Sequence, residues 1–148
     1  MKLSTKTQYA VRAVFDMAYF TESDTVLAKD VAARQDIPLR YLEQIFQDLK
    51  RAGIVDAKRG PKGGYSLRKT ARELRLGDIV RAIEGPVEAW VVFDDGAPGA
   101  SEKVTSPLWR EFASAMAGWF DAITMADLIE RAAAQGVPRN GAPAMYFI

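Results

Sequence analysis

Between positions 38 and 68 the chain reads as a helix followed at once by a hairpin. Leu42, Ile45, Phe46 and Leu49 recur at i, i+3, i+4 and i+7, the spacing of one buried helical stripe. Gly53 follows as a natural C-terminal stop. Residues 54–58 and 65–68 then read as strands joined by RGPKGG, in which Pro61 sets one backbone angle while Gly63 and Gly64 permit positive φ. Upstream, Leu27, Val31 and Ala32 mark a shorter helix, and Gln35-Asp36-Ile37 interrupts it. Pro38 suits the first turn of the next helix, where its missing N–H is not needed. Two short helices across a tight turn, followed by a hairpin, predict a helix-turn-helix with a wing.

The flanking segments extend this to a mainly α fold. Ser4 caps a predicted helix carrying Tyr9, Val11, Val14, Phe15 and Ala18, and 76–83 predicts a short helix ended by Gly85-Pro86. Residues 86–106 carry turn residues and an aperiodic apolar run, and read as a loop. The longest helical pattern occupies 107–134, with a capping box restarting it at Thr124 and Asp127. The expected organisation is a winged domain over 1–85, a loop over 86–106, and a dimerisation helix with its tail over 107–148.

Composition removes most catalytic chemistry. The sequence has no cysteine and no histidine, so thiolates, imidazole bases, Cys/His metal sites and a Ser-His-Asp triad are all excluded. Asp94-Asp95 is an isolated acidic pair with no second carboxylate motif beside it, and an enzyme is not expected. No apolar run reaches the length of a membrane span, and the N-terminus lacks a signal-peptide pattern, so a cytoplasmic protein is expected. Net charge is +1, but residues 1–85 hold sixteen Lys and Arg against eleven Asp and Glu, and residues 86–148 four against eight. A basic N-terminal part suits a polyanion partner.

The predicted wing gives that partner a shape. A recognition helix fits the major groove of DNA, and a hairpin tip can enter the adjacent minor groove, which favours an inserted Arg. Arg59 and Lys62 supply the charge, and Gly60 and Gly63 a backbone that can approach phosphates. On the second helix Arg40, Tyr41 and Gln44 lie near the N-terminal end, and Glu43 either accepts from cytosine or orients Arg40.

The runs MKLSTKTQYAVRA, IPLRYLEQIFQDLKRAGIVDAKRGPKGGYSL, LGDIVRAIEG, SPLWREF and ITMADLI resemble the IscR/NsrR/CymR-type family of bacterial transcription regulators over about 1–133. The resemblance implies a homodimeric winged-helix protein that binds a palindromic promoter site in double-stranded DNA, with repression the family's commoner mode. It places groove-reading positions on Pro38, Arg40 and Glu43 and a minor-groove arginine on Arg59. Pro38 and Arg40 stand where IscR-like members carry serines, so the operator need not be theirs. Three cluster-ligating cysteines of the family fall near Val91, Ala97 and Lys103, its histidine on Ser106, and an N-terminal acidic ligand on Gln8. Without thiolates a cysteine-ligated iron–sulfur cluster has no ligands, and no cofactor is expected.

Dimerisation is expected through Leu108, Trp109, Phe112, Met116, Trp119, Phe120 and Ile123, a face too apolar for one small chain to bury. Trp90, Val92 and Phe93, with Tyr146 and Phe147 in the tail, either line a site for a small-molecule or protein effector or pack as ordinary core. The alternative function is a winged-helix protein-interaction module that does not read DNA.

Overall fold

A computed structural model describes residues 3–21, 23–90 and 99–139. Six helices and one hairpin follow in the order α1 Thr5–Tyr19, α2 Ala28–Gln35, α3 Leu39–Arg51, β1 Val55–Lys58, β2 Gly64–Leu67, α4 Leu76–Glu84, α5 Ala100–Ala122 and α6 Met125–Ala134, with a 3₁₀ turn at Val87–Trp90. The architecture is the expected one, mainly helical with a small wing.

Ser4 caps α1 as the sequence suggests, its Oγ accepting from Thr7 N at 3.1 Å. The buried face of α1 differs from the expected one. Ala10, Ala13, Val14 and Met17 point inward, while Tyr9 and Val11 are half-buried and Phe15 joins Tyr19 and Phe20 in an aromatic group. The cause is position: α1 contacts α2, α3, α4 and α6, and the small side chains of Ala10 and Ala13 permit the close approaches. Glu84, at the end of α4, anchors the start of α1 by accepting from Ser4 N, Ser4 Oγ and Thr7 Oγ1 on one oxygen. Burial pushes the Glu84 carboxyl up, but these hydrogen bonds outweigh it and hold it below the usual range.

Within the helix-turn-helix, Leu27 is the N-cap of α2 and exposed, so the apolar stripe of that helix is Val31 and Ala32. Asp36 ends α2 in the left-handed conformation, φ 51°. Pro38 is the N-cap of α3 and Leu39 opens its first turn. Leu42, Ile45, Phe46 and Leu49 are fully buried. Gly53, at φ 75°, closes α3 in a Schellman motif: Gly53 N donates to Lys50 O at 3.0 Å and Ile54 N to Leu49 O at 2.9 Å.

β1 and β2 pair antiparallel with Val55 opposite Leu67 and Lys58 opposite Gly64. The α1–α2 connection adds a third edge, since Val26 and Tyr65 exchange two backbone hydrogen bonds of 2.8 Å. The helix expected from 107 begins at Ala100, with Pro107 inside it. A proline resembles a helix start in sequence, yet here it follows two turns already formed. The Thr124–Asp127 capping box is present, and α6 returns to the winged core, where Met125 is fully buried.

Candidate nucleic-acid interface

The outward surface of α3 is built by the same periodicity that buries its inner stripe. Arg40, Glu43, Gln44 and Gln47 are exposed and line one concavity of about 490 Å³. All but Gln47 were anticipated. Gln47 lies one turn beyond Gln44, and an i+3 step from an assigned residue is the signal that would have found it. Leu39 is a second omission: it is 42% exposed at the first position of α3, beside exposed Pro38. An apolar side chain there suits a thymine methyl group. Tyr41 sits on the flank, half-buried, with its ring edge on Tyr9 at 5.7 Å.

The back of α3 is tied to the scaffold through Asp48. Its carboxylate lies 2.5 Å from Lys6 Nζ and 2.9 Å from Arg51 Nη1. The hydrogen bond from Lys6 holds the Asp48 carboxyl below its ordinary range, so a negative charge on α3 stays matched. Fully buried Asp16 ties α1 to α2, accepting from Arg34 Nη2 at 2.6 Å, Arg34 Nε at 3.0 Å and Gln35 Nε2 at 2.9 Å. That contact, chiefly its hydrogen bond, raises the Arg34 guanidinium above its usual value.

The wing is aimed by its backbone. Gly60 has φ 106°, the left-handed side that favours glycine, and Gly63 N donates to Gly60 O at 2.9 Å to close the turn. Gly63 does not need positive φ, contrary to expectation. It needs the absence of a Cβ, which would stand 2.3 Å from Lys58 O and 2.8 Å from Gly60 O. Gly64 does take positive φ, 150°, and passes close to Val26 O. Tyr65 stacks on Phe46 at 4.4 Å between ring centres, which fixes the hairpin against α3. Arg59, Gly60 and Lys62 are exposed at the tip, and neither Arg59 nor Lys62 forms an ion pair among the described residues. α3 and an arginine without an ion pair among the described residues are therefore presented together.

The expected dimer face divides in two. Leu108, Trp109, Phe112 and Trp119 are 56%, 51%, 46% and 60% exposed, and Val104 extends them. Phe120 and Ile123 point the other way and are buried, while Met116 is half-buried against Val80, Val87 and Phe120. Apolar spacing on a helix cannot tell which edge of a wide stripe meets its own chain and which meets another. Trp90 is half-buried, its Nε1 donating to Glu84 O at 3.4 Å and its ring meeting Phe120 at 6.3 Å. Val92, Phe93, the Asp94-Asp95 pair, Val91, Ala97, Tyr146 and Phe147 lie outside the described residues.

Comparison with known proteins gives concordant results. Residues 3–131 match the profile of the Rrf2 family, described as an iron-dependent transcriptional regulator. The chain is 37% identical over 130 residues to the HTH-type transcriptional regulator IscR of Serratia proteamaculans, covering 87% of this chain and 79% of that one. Among solved structures it is similar to CymR, the global cysteine regulator of B. subtilis, with a TM-score of 0.74 and 30% identity over 88% of this chain and 98% of that one. T. potens IscR gives 0.73 and 34%, over 99% and 96%. The iron in that family description finds no matching donor set among the described residues. The sequence offers neither cysteine nor histidine, and the described residues contain no group of three or more acidic side chains that could hold a metal.

Proposed function

The chain belongs to the Rrf2 family of transcriptional regulators, and on that premise we propose that it binds a palindromic promoter site as a homodimer and does so without an iron–sulfur cluster. The observation that carries the reading is the unpaired Arg59 on a glycine-shaped turn held against α3 by the Phe46–Tyr65 stack. The exposed surface of α3 enters the major groove, where Arg40 suits a guanine edge and Gln44 an adenine edge. Arg59 enters the neighbouring minor groove, and Lys62 and the backbone of Gly60 and Gly63 meet phosphates. The exposed apolar face of α5 pairs with its copy, which sets two half-sites roughly one helical turn apart. The relatives are regulators and not enzymes, and among the described residues no helix is long and apolar enough to cross a membrane. A DNA target places the protein in the cytoplasm, and repression is the mode we assign.

The test is selection of bound fragments from random duplex DNA with metal-free protein. Enrichment of a palindrome supports the reading. A folded dimer that enriches nothing, and whose partner binding is insensitive to salt, overturns it in favour of a protein-interaction module, because phosphate contacts release counterions and weaken steeply with salt.

A further inference from the structure

A cavity of about 840 Å³ opens between the wing, the α1–α2 connection and the segment after α6. Its size falls within the range of small-molecule sites. Lys58 and Lys62 line it from the wing, Asp24 and Asp30 from the connection and α2, and Arg139 from beyond α6. Lys58, Lys62, Asp24 and Asp30 form no ion pair among the described residues, although both signs share one concavity. Arg34, which also reaches the cavity, is already matched by Asp16. Arg139 is held in place: its guanidinium lies 5.2 Å from the centre of the Tyr19 ring, and the Tyr19 hydroxyl donates to Val137 O at 2.7 Å. Thr21 Oγ1 is buried at this lining without a hydrogen-bond partner among the described residues. Buried polar atoms are seldom left so, and one beside a cavity invites a ligand atom or a water.

We propose that this cavity binds a small zwitterion of amino-acid or dipeptide size, its carboxylate toward Lys58 and Lys62 and its ammonium toward Asp24 and Asp30, and that occupancy weakens DNA binding. Charges of both signs favour a ligand carrying both, because a simple anion would face the two aspartates and a simple cation the two lysines. The link to DNA follows from the wall that Lys62 forms. A carboxylate held there competes with phosphate for the same cation, and the ligand would also brace the hairpin against the Thr25 side chain, whose hydroxyl already donates to Lys62 O at 3.4 Å. Coupling of this kind is reciprocal, so DNA lowers ligand affinity by the same factor. The effect on DNA rests on the function proposed above, whereas ligand binding itself does not.

The experiment is calorimetric titration of the full-length chain, without DNA, against L-α-amino acids and dipeptides, with succinate and putrescine as controls of single charge sign. The expected result is saturable binding of at least one zwitterion, no binding of either control, and about a tenfold or greater loss in Asp30→Asn and in Asp24→Asn. Each variant is checked for an unchanged circular dichroism spectrum. Succinate binding as tightly as the zwitterions would show a plain anion seat and overturn the proposal. So would affinity indifferent to both aspartate substitutions, or no binding across the panel. DNA titrations with and without the ligand then test the antagonism separately. A ligand that binds but leaves DNA affinity unchanged refutes the regulatory half alone.

Discussion

Replacing Gly63 with alanine separates the shape of the wing from its charge. The new Cβ would stand 2.3 Å from Lys58 O, 2.8 Å from Gly60 O and 3.0 Å from the Arg59 carbonyl carbon, all backbone atoms of the same turn. Real Cβ contacts essentially stop at 3.0 Å, so the chain must yield by at least 0.7 Å at the first of these. The cheapest relief opens the turn and gives up the Gly63 N to Gly60 O hydrogen bond, worth about 1 kcal/mol. Because the tip is exposed, global stability falls by roughly that amount and no more. DNA affinity falls further, since Arg59 is carried on the displaced backbone. Losing the proposed minor-groove contact should cost about 1–3 kcal/mol, or roughly five- to 150-fold in Kd. Arg59→Ala removes the same contact, so the double variant should bind little worse than either single variant, with a coupling energy near the smaller single loss. Fluorescence anisotropy with the selected operator at fixed salt measures all four corners of the cycle. Additive losses would refute the idea that Gly63 acts by aiming Arg59, as would a Gly63→Ala protein that binds within about twofold of the parent.

Three further outcomes follow from the packing. Trp119→Glu should dissociate the proposed dimer while leaving helix content intact. An isologous interface counts the residue twice, so about 2 kcal/mol per copy becomes a roughly thousandfold weaker dimer; sedimentation showing an unchanged dimer would exclude this face of α5. Arg34→Met should cost about 3–5 kcal/mol in denaturant unfolding, because fully buried Asp16 keeps Gln35 as its one side-chain donor among the described residues. Adding Asp16→Leu should recover most of that, and a double variant as unstable as the single would contradict the account. For Asp48, the folded carboxyl sits below its unfolded value, so its stabilisation is present above the unfolded pKa and is lost as pH falls through the lower folded one. Parent and Asp48→Asn unfolding midpoints should therefore differ near neutrality and converge in acid; a gap that persists in acid would show that something other than the Lys6 pair is at work.

How much was legible beforehand depended on the range of the forces involved. Leu42, Ile45, Phe46 and Leu49 were readable because one helical turn sets their spacing, whatever surrounds them. Gly53, Gly85 and the Thr124–Asp127 box were readable for a similar reason: caps satisfy backbone groups within a few residues of themselves. Gln47 went unassigned although an i+3 step from Gln44 reaches it, whereas the exposure of apolar Leu39 depends on how α3 packs on its neighbours. α5 starts upstream of the expected 107 because its first two turns, ASEKVTS, carry no apolar stripe to reveal them.

The sequence by itself determined the order of helices and hairpin, the inner stripe of α3, the placing of Arg59 on a glycine turn, and the chemical impossibility of thiolate ligands. Those depend on neighbours within a turn or on composition alone. Only the tertiary structure decided that α1 turns its alanines inward, that Phe120 and Ile123 serve their own chain while Trp119 faces out, that Gly63 is needed for space and not for φ, and that charges from 24, 30, 58, 62 and 139 meet around one cavity. Each of these joins residues distant along the chain, and the interactions that bring them together are non-directional burial and close packing, which leave no periodic trace in the sequence.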